Sequence, residues 1–175
     1  MAQLEVFTPD GIYTGVTSRL PLIGDGPTLD HPLPLEGARW YPNDGTTPAH
    51  HGSVSIPPDD ILVVVLPEPE LKVHTSWYPL TLDCGPYRLV GRFETQPGFD
   101  PDRALTRPSG GFVPLHEAVI ELRGRADAGA AERAYVQVNR FAVERVVSPL
   151  SLTLYFPGAS FVEAEGATVG VASGD

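Results

Sequence analysis

The groups most able to do chemistry in this chain are its histidines, its single cysteine and a few paired acids. His50 and His51 stand together, with His31, His74, Asp30, Asp59 and Asp60 as possible company for a metal ion. Adjacent residues on an extended chain point to opposite sides, so one ion cannot readily take both histidines. They read as solvated loop residues, and no metal is assigned. A nucleophile would combine Cys84 with His116 and an acid such as Glu117. Cys84 falls in the turn-like "DCGP", but nothing adjacent in sequence is placed to lower its pKa, so it reads as a packed thiol. The acids of "DD" (59–60) and "DPDR" (100–103) lack the D-x-[DN]-x-[DN]-G spacing that wraps calcium, and Asp59 and Asp60 read as a turn between strands. Phosphate-loop, dinucleotide, nucleophile-elbow, zincin and C-x-x-C signatures are absent. The reading assigns no catalytic residue and no cofactor. Aromatics beside the expected loops remain: Trp40, Tyr41, Trp77, Tyr78, Phe99 and Phe112. Of these, Trp40, Tyr41, Phe99 and Phe112 are the expected contact surface.

The elements that carry these groups are strands. With 18 Gly and 19 Pro in 175 residues, long helices are largely excluded. Apolar residues make up 42% of the chain, enough to build a core. "ILVVVL" (61–66) and "ERVVSPLSLTLYF" (144–156) read as buried strands, and "RADAGAAERA" (125–134) as a loop with at most one helical turn. No run approaches the roughly 20 apolar residues that span a bilayer, and one cysteine cannot form an internal disulfide, so a reduced cytoplasm is expected.

The chain also repeats itself. A shift of 76 lays Leu4 on Leu80, Val6 on Leu82, Tyr13 on Leu89 and Gly15 on Gly91. A shift of 80 lays Pro34, Leu35 and Ala38 on Pro114, Leu115 and Ala118, and a shift of 82 lays Val54, Ile56, Ile61, Val64 and Val65 on Val136, Val138, Val143, Val146 and Val147. "SWYP" (76–79) resembles "LYFP" (154–157) at a shift of 78. Four matches in one order predict a tandem duplication.

Each copy reads as strand, turn, strand, long loop, then closely spaced strands. "VQVNRFAVERV" (136–146) resembles the late strand pair of SH3-like or Sm-like small barrels. The resemblance implies an all-β protein of two such barrels packed together, 1–75 and 76–157, with a flexible tail over 158–175; a single β-sandwich is the alternative.

The expected function is a non-catalytic protein-binding or assembly module, with a protein partner or a second copy as ligand. The alternative is a small-ligand binder or enzyme with a pocket between the copies, drawing on His51, His74, Cys84 and His116. A third option is an Sm-like ring built through open strand edges. A net charge of -10 argues against nucleic acid. Eleven of the twelve bases are arginines concentrated in the second copy, so the halves are electrically unequal and suited to docking head to tail.

Overall fold

Strand formation follows the alternation of the sequence. In Tyr87–Thr95 the side chains of Tyr87, Leu89, Phe93 and Thr95 are buried, while Arg88, Val90, Arg92 and Glu94 face outward to varying degrees. The same logic gives twelve strands in the computed structural model, which describes residues 1–18, 31–70, 75–95 and 110–164. They are β1 (Ala2–Phe7), β2 (Gly11–Thr17), β3 (Leu33–Pro42), β4 (Ala49–His50), β5 (Ser53–Ile56), β6 (Val63–Val65), β7 (Ser76–Cys84), β8 (Tyr87–Thr95), β9 (Phe112–Leu122), β10 (Ala130–Asn139), β11 (Val143–Ser148) and β12 (Ser160–Glu163). The protein is all-β, as expected. No helix among the described residues is long and apolar enough to cross a membrane.

The repeat in the letters recurs in the hydrogen-bonded ladders. β1–β2, β2–β3, β3–β5 and β1–β6 pair antiparallel, as do β7–β8, β8–β9, β9–β10 and β11–β7. Register is kept as well as order. Val6 faces Val64 as Leu82 faces Val146, and Leu35 faces Val54 as Leu115 faces Val136. β4 and β5 together occupy the place of the longer β10, since Trp40 faces Ala49 as Ile120 faces Ala131. Even the irregularities coincide: the ladder slips between Thr14 and Val16 and again between Val90 and Arg92. In each, two residues of one strand, Gly37–Ala38 or Glu117–Ala118, stand opposite a single glycine, Gly15 or Gly91.

The strands do not close into two barrels. They form one twelve-stranded sheet in the order β12-β11-β7-β8-β9-β10-β6-β1-β2-β3-β4, with β5 also on β3. Closing the first set would need β6 to reach β5. Instead β6 pairs with β1 on one side and β10 on the other, through Val63–Val138, Val64–Gln137 and Val65–Val136. Three further bonds seal this seam, from Asn139 N to Leu62 O at 2.8 Å, from Asn139 Nδ2 to Ile61 O at 2.9 Å and from Leu66 N to Tyr135 O at 3.4 Å.

Two apolar clusters lie against the sheet, and each borrows a ring from the other set. Phe7 packs into the larger one with Leu82, Leu89 and Val146, meeting Tyr87 edge-on at 5.2 Å. Phe112 packs into the smaller one with Leu4, Leu35 and Ile61. Three sequence expectations fall differently. "LYFP" (154–157) lies in a turn rather than a strand, although Tyr155 and Phe156 are buried. "RADAGAAERA" supplies a short 3-10 turn and then the start of β10. β12 is an ordered strand within the segment expected to be a tail.

Candidate functional site

The exposed chemistry of the first set is aromatic. Tyr13 and Trp40 are cross-strand partners, and their rings stack at 6.3 Å with 24° between planes. His51 adds a third ring 6.5 Å from Tyr13. Gly11 makes the packing possible, because a Cβ there would lie 2.5 Å from both Trp40 Nε1 and the Tyr41 carbonyl oxygen. The three rings are half-buried and form a ledge. Burial raises the Tyr13 hydroxyl above its ordinary range, and the charges of Asp10 and Asp60 raise it further. The stacked Tyr13 and Trp40 faces, with His51 tilted at 49°, can take a guanidinium or ammonium group over a ring beside the carboxylates.

The four expected contact residues are dispersed. Trp40 belongs to the ledge. Tyr41, 36% exposed, is next to it on β3 and so faces the opposite side. Phe112 is core, at 3% exposure. Phe99 lies outside the described residues. Sequence reading weighed His51 for a metal or a pocket and not for this ledge, and it did not place Tyr13 in a contact surface, although the hairpin register and the small residue at 11 were the signal available.

The groups considered for catalysis also stand apart. Cys84 pairs with Tyr87 at one end of the β7–β8 hairpin, and Tyr87 pairs with Leu122. His116 is six residues back along β9, about 20 Å at ~3.3 Å per residue. Cys84 is fully buried, which pushes its thiol up to about 12, with Glu144 adding to the shift, so it holds its proton at neutral pH. His51 lies in the first set, and His74 is outside the described residues. Asp59 and Asp60 form a 3-10 turn with Pro58, as expected. Among the described residues no three His, Cys, Asp or Glu side chains are grouped to hold a metal ion.

No protein-family model, curated protein or solved structure matches this chain. Its own two strand sets therefore supply the comparison, and they differ most in charge.

Two buried polar arrangements centre on residues of the second set, His116 and Asp83. His116 is 2% exposed, with Nδ1 3.5 Å from Glu68 and Nε2 3.5 Å from Glu94. Trp77 and Tyr135 flank its ring at 5.0 and 4.8 Å, and Gln137 Nε2 donates to Tyr135 Oη at 2.6 Å. The corresponding first-set positions of His116, Tyr135 and Gln137 are Glu36, Ser53 and Ser55, all exposed. The second arrangement surrounds Asp83, which is 3% exposed and accepts two bonds from Arg88 at 2.7 and 3.0 Å, with Arg123 and Arg145 at 3.9 and 3.8 Å. The Arg88 bonds, above all, hold its carboxyl below the usual carboxylate range. Asp83, Arg88 and Arg145 take the places of Phe7, Ile12 and Val63, which pack on the larger core in the first set. Beside this cluster lies an open cleft of about 930 Å³ lined by Arg88, Glu121, Arg123 and Arg125 among others.

Proposed function

We propose that the chain is a non-catalytic protein-binding or assembly module, whose first contact surface is the Tyr13–Trp40–His51 ledge. The observation that carries this reading is the stacked Tyr13–Trp40 pair, held half-open beside Asp10 and Asp60. Residues 1–75 hold ten acids against three bases, so the ligand that fits is a basic, extended protein segment. The same charge balance disfavours nucleic acid. A small-barrel ancestry for units 1–75 and 76–157 belongs to this reading, supported by the shared order of ladders, in which the last strand of each unit, β6 or β11, returns to pair with its first, β1 or β7. So does a reducing, cytoplasmic setting, supported by the single buried thiol.

Affinity capture tests it. A protein retained by the chain and by Phe141→Ala, but lost with both Tyr13→Ala and Trp40→Ala, is the expected result. A bound set that is indifferent to the two ledge substitutions overturns the reading.

A further inference from the structure

The seam between the two strand sets is a junction the chain has the parts to make a second time. On one side of the seam stands β6, whose inner edge is taken by β1 and whose outer edge is taken by β10. Its counterpart in the second set is β11, paired on the inner side with β7. On the other side of the seam stands β10, whose counterpart is β4 with β5. Among the described residues the outer edge of β5 pairs with no strand.

β5 is built to accept one. Its partner across the ladder at Ser55 is Pro34, which has no N–H to give. Ser55 therefore cannot exchange the usual two bonds with β3, and its own N–H and C=O face away from it. Pro114 opposite Gln137 sets up the same orientation in β10, where Gln137 faces Val64 of β6. "SVSI" also carries no lysine, proline or other charge of the kind that guards a free edge.

The complementary edge is occupied. β12 lies parallel on β11, with Arg145, Val146 and Val147 beside Ser160, Phe161 and Val162. It is four residues long, Val162 is 42% exposed, and Phe161 alone among its side chains packs on the core. Parallel pairing is slightly weaker per residue than the antiparallel pairing that β6 makes with β10.

We propose that β5 is the acceptor edge for a second copy of this chain, and that β12 is a built-in stop that keeps β11 from occupying it. With β12 displaced, β11 of one copy pairs with β5 of the next in the register of the seam: Val147 with Val54, Val146 with Ser55 and Arg145 with Ile56. Charge favours the same union, since β11 brings the arginines around Asp83 toward the unit with ten acids and three bases. The contact joins two different edges, so it propagates as an open row rather than closing as a symmetric dimer. It uses a surface other than the aromatic ledge and does not depend on it.

Sedimentation velocity of the full chain over a range of concentrations tests this. Phe161→Asp, which undocks β12, is expected to lower the concentration of half-association by about tenfold or more relative to the unaltered chain. The species should extend beyond dimers, and adding Ser55→Pro should return them to the unaltered distribution. A Phe161→Asp chain with native circular dichroism that sediments as the unaltered chain does overturns the proposal. So does association that Ser55→Pro leaves intact. Should Phe161→Asp lose the strand signal, Phe161→Ser is read by the same criteria.

Discussion

Gly37 and Glu117 occupy the same place in the two strand sets, within the matched bulge, and both hold a left-handed backbone, at φ 59° and 48°. Glycine adopts that conformation freely, whereas a residue with a Cβ is strained there. A Cβ at Gly37 would meet nothing within 4 Å, so the backbone alone sets the cost of adding one. Gly37→Ala is expected to destabilise by about 1 kcal/mol. Glu117→Gly should do the reverse by a similar or smaller amount, because the Arg92–Glu117 pair it removes is exposed. Urea unfolding of the two variants checks the opposite signs.

Opposite the bulged residues, Gly15 and Gly91 are held differently. At Gly91 a Cβ would lie 2.7 Å from Leu115 Cγ and 2.8 Å from the His116 carbonyl oxygen, whereas at Gly15 the closest approaches are 3.1 Å. The backbone oxygen cannot swing aside as a side chain can. Gly91→Ala should cost roughly 2–3 kcal/mol and Gly15→Ala distinctly less. Equal losses in thermal unfolding would contradict the closer packing of the second bulge.

Alkaline pH should loosen the fold, above all through two groups. Tyr87 Oη donates to Thr8 O at 2.8 Å and accepts from Asn43 Nδ2 at 2.9 Å, and burial pushes its hydroxyl up to about 12 from an ordinary 10.0. Cys84 rises to about 12 from 9.0 for the same reason. Both ionise first in the unfolded chain, so their stabilisation is complete below pH 9.0 and is lost as pH climbs toward about 12. Tyr87→Phe should flatten the part of that decline above the ordinary tyrosine value. It should also cost about 1–3 kcal/mol at neutral pH, because Thr8 O loses its buried donor. Stability measured against pH for both chains checks the two effects.

Acid acts on Asp83. Its carboxyl is held low by Arg88, so its stabilisation is present above the ordinary value of 3.8 and disappears as pH falls through the lower folded value. Asp83→Asn is therefore expected to lose about 1–3 kcal/mol at pH 7. The two chains should converge below the ordinary carboxylate range, as urea unfolding at both pH values would record.

How much of this was legible beforehand follows from what alternation reports. The period of two found the core side chains Leu4 and Val6 of β1 and Leu80 and Leu82 of β7, and the shifts of 76, 80 and 82 foretold the ladder registers. Alternation says which face a residue takes but not which edge a strand offers. The union of β6 with β10 was consequently invisible, because Val63–Val65 would have looked the same paired with β5. Phe112 misled for a related reason. It follows a polar stretch of sequence, yet it fills the other set's core among Leu4, Leu35 and Ile61. Tyr13 and Trp40 were separately visible, but their stacking needed the β2–β3 register that a bulge had shifted. The environment of His116 depends on Glu68, 48 residues earlier, and no local pattern announces such a meeting.

The exchange of Phe7 and Phe112 bears on cooperativity. A fragment ending before β7 would expose the Phe7 ring and leave the β6 edge bare, and one starting at β7 would lack the ring that covers Tyr87. Neither half keeps a complete interior when severed from the other. The pair should melt as one calorimetric event, with hydrogen exchange at Val64 and Gln137 slowing to the same global limit.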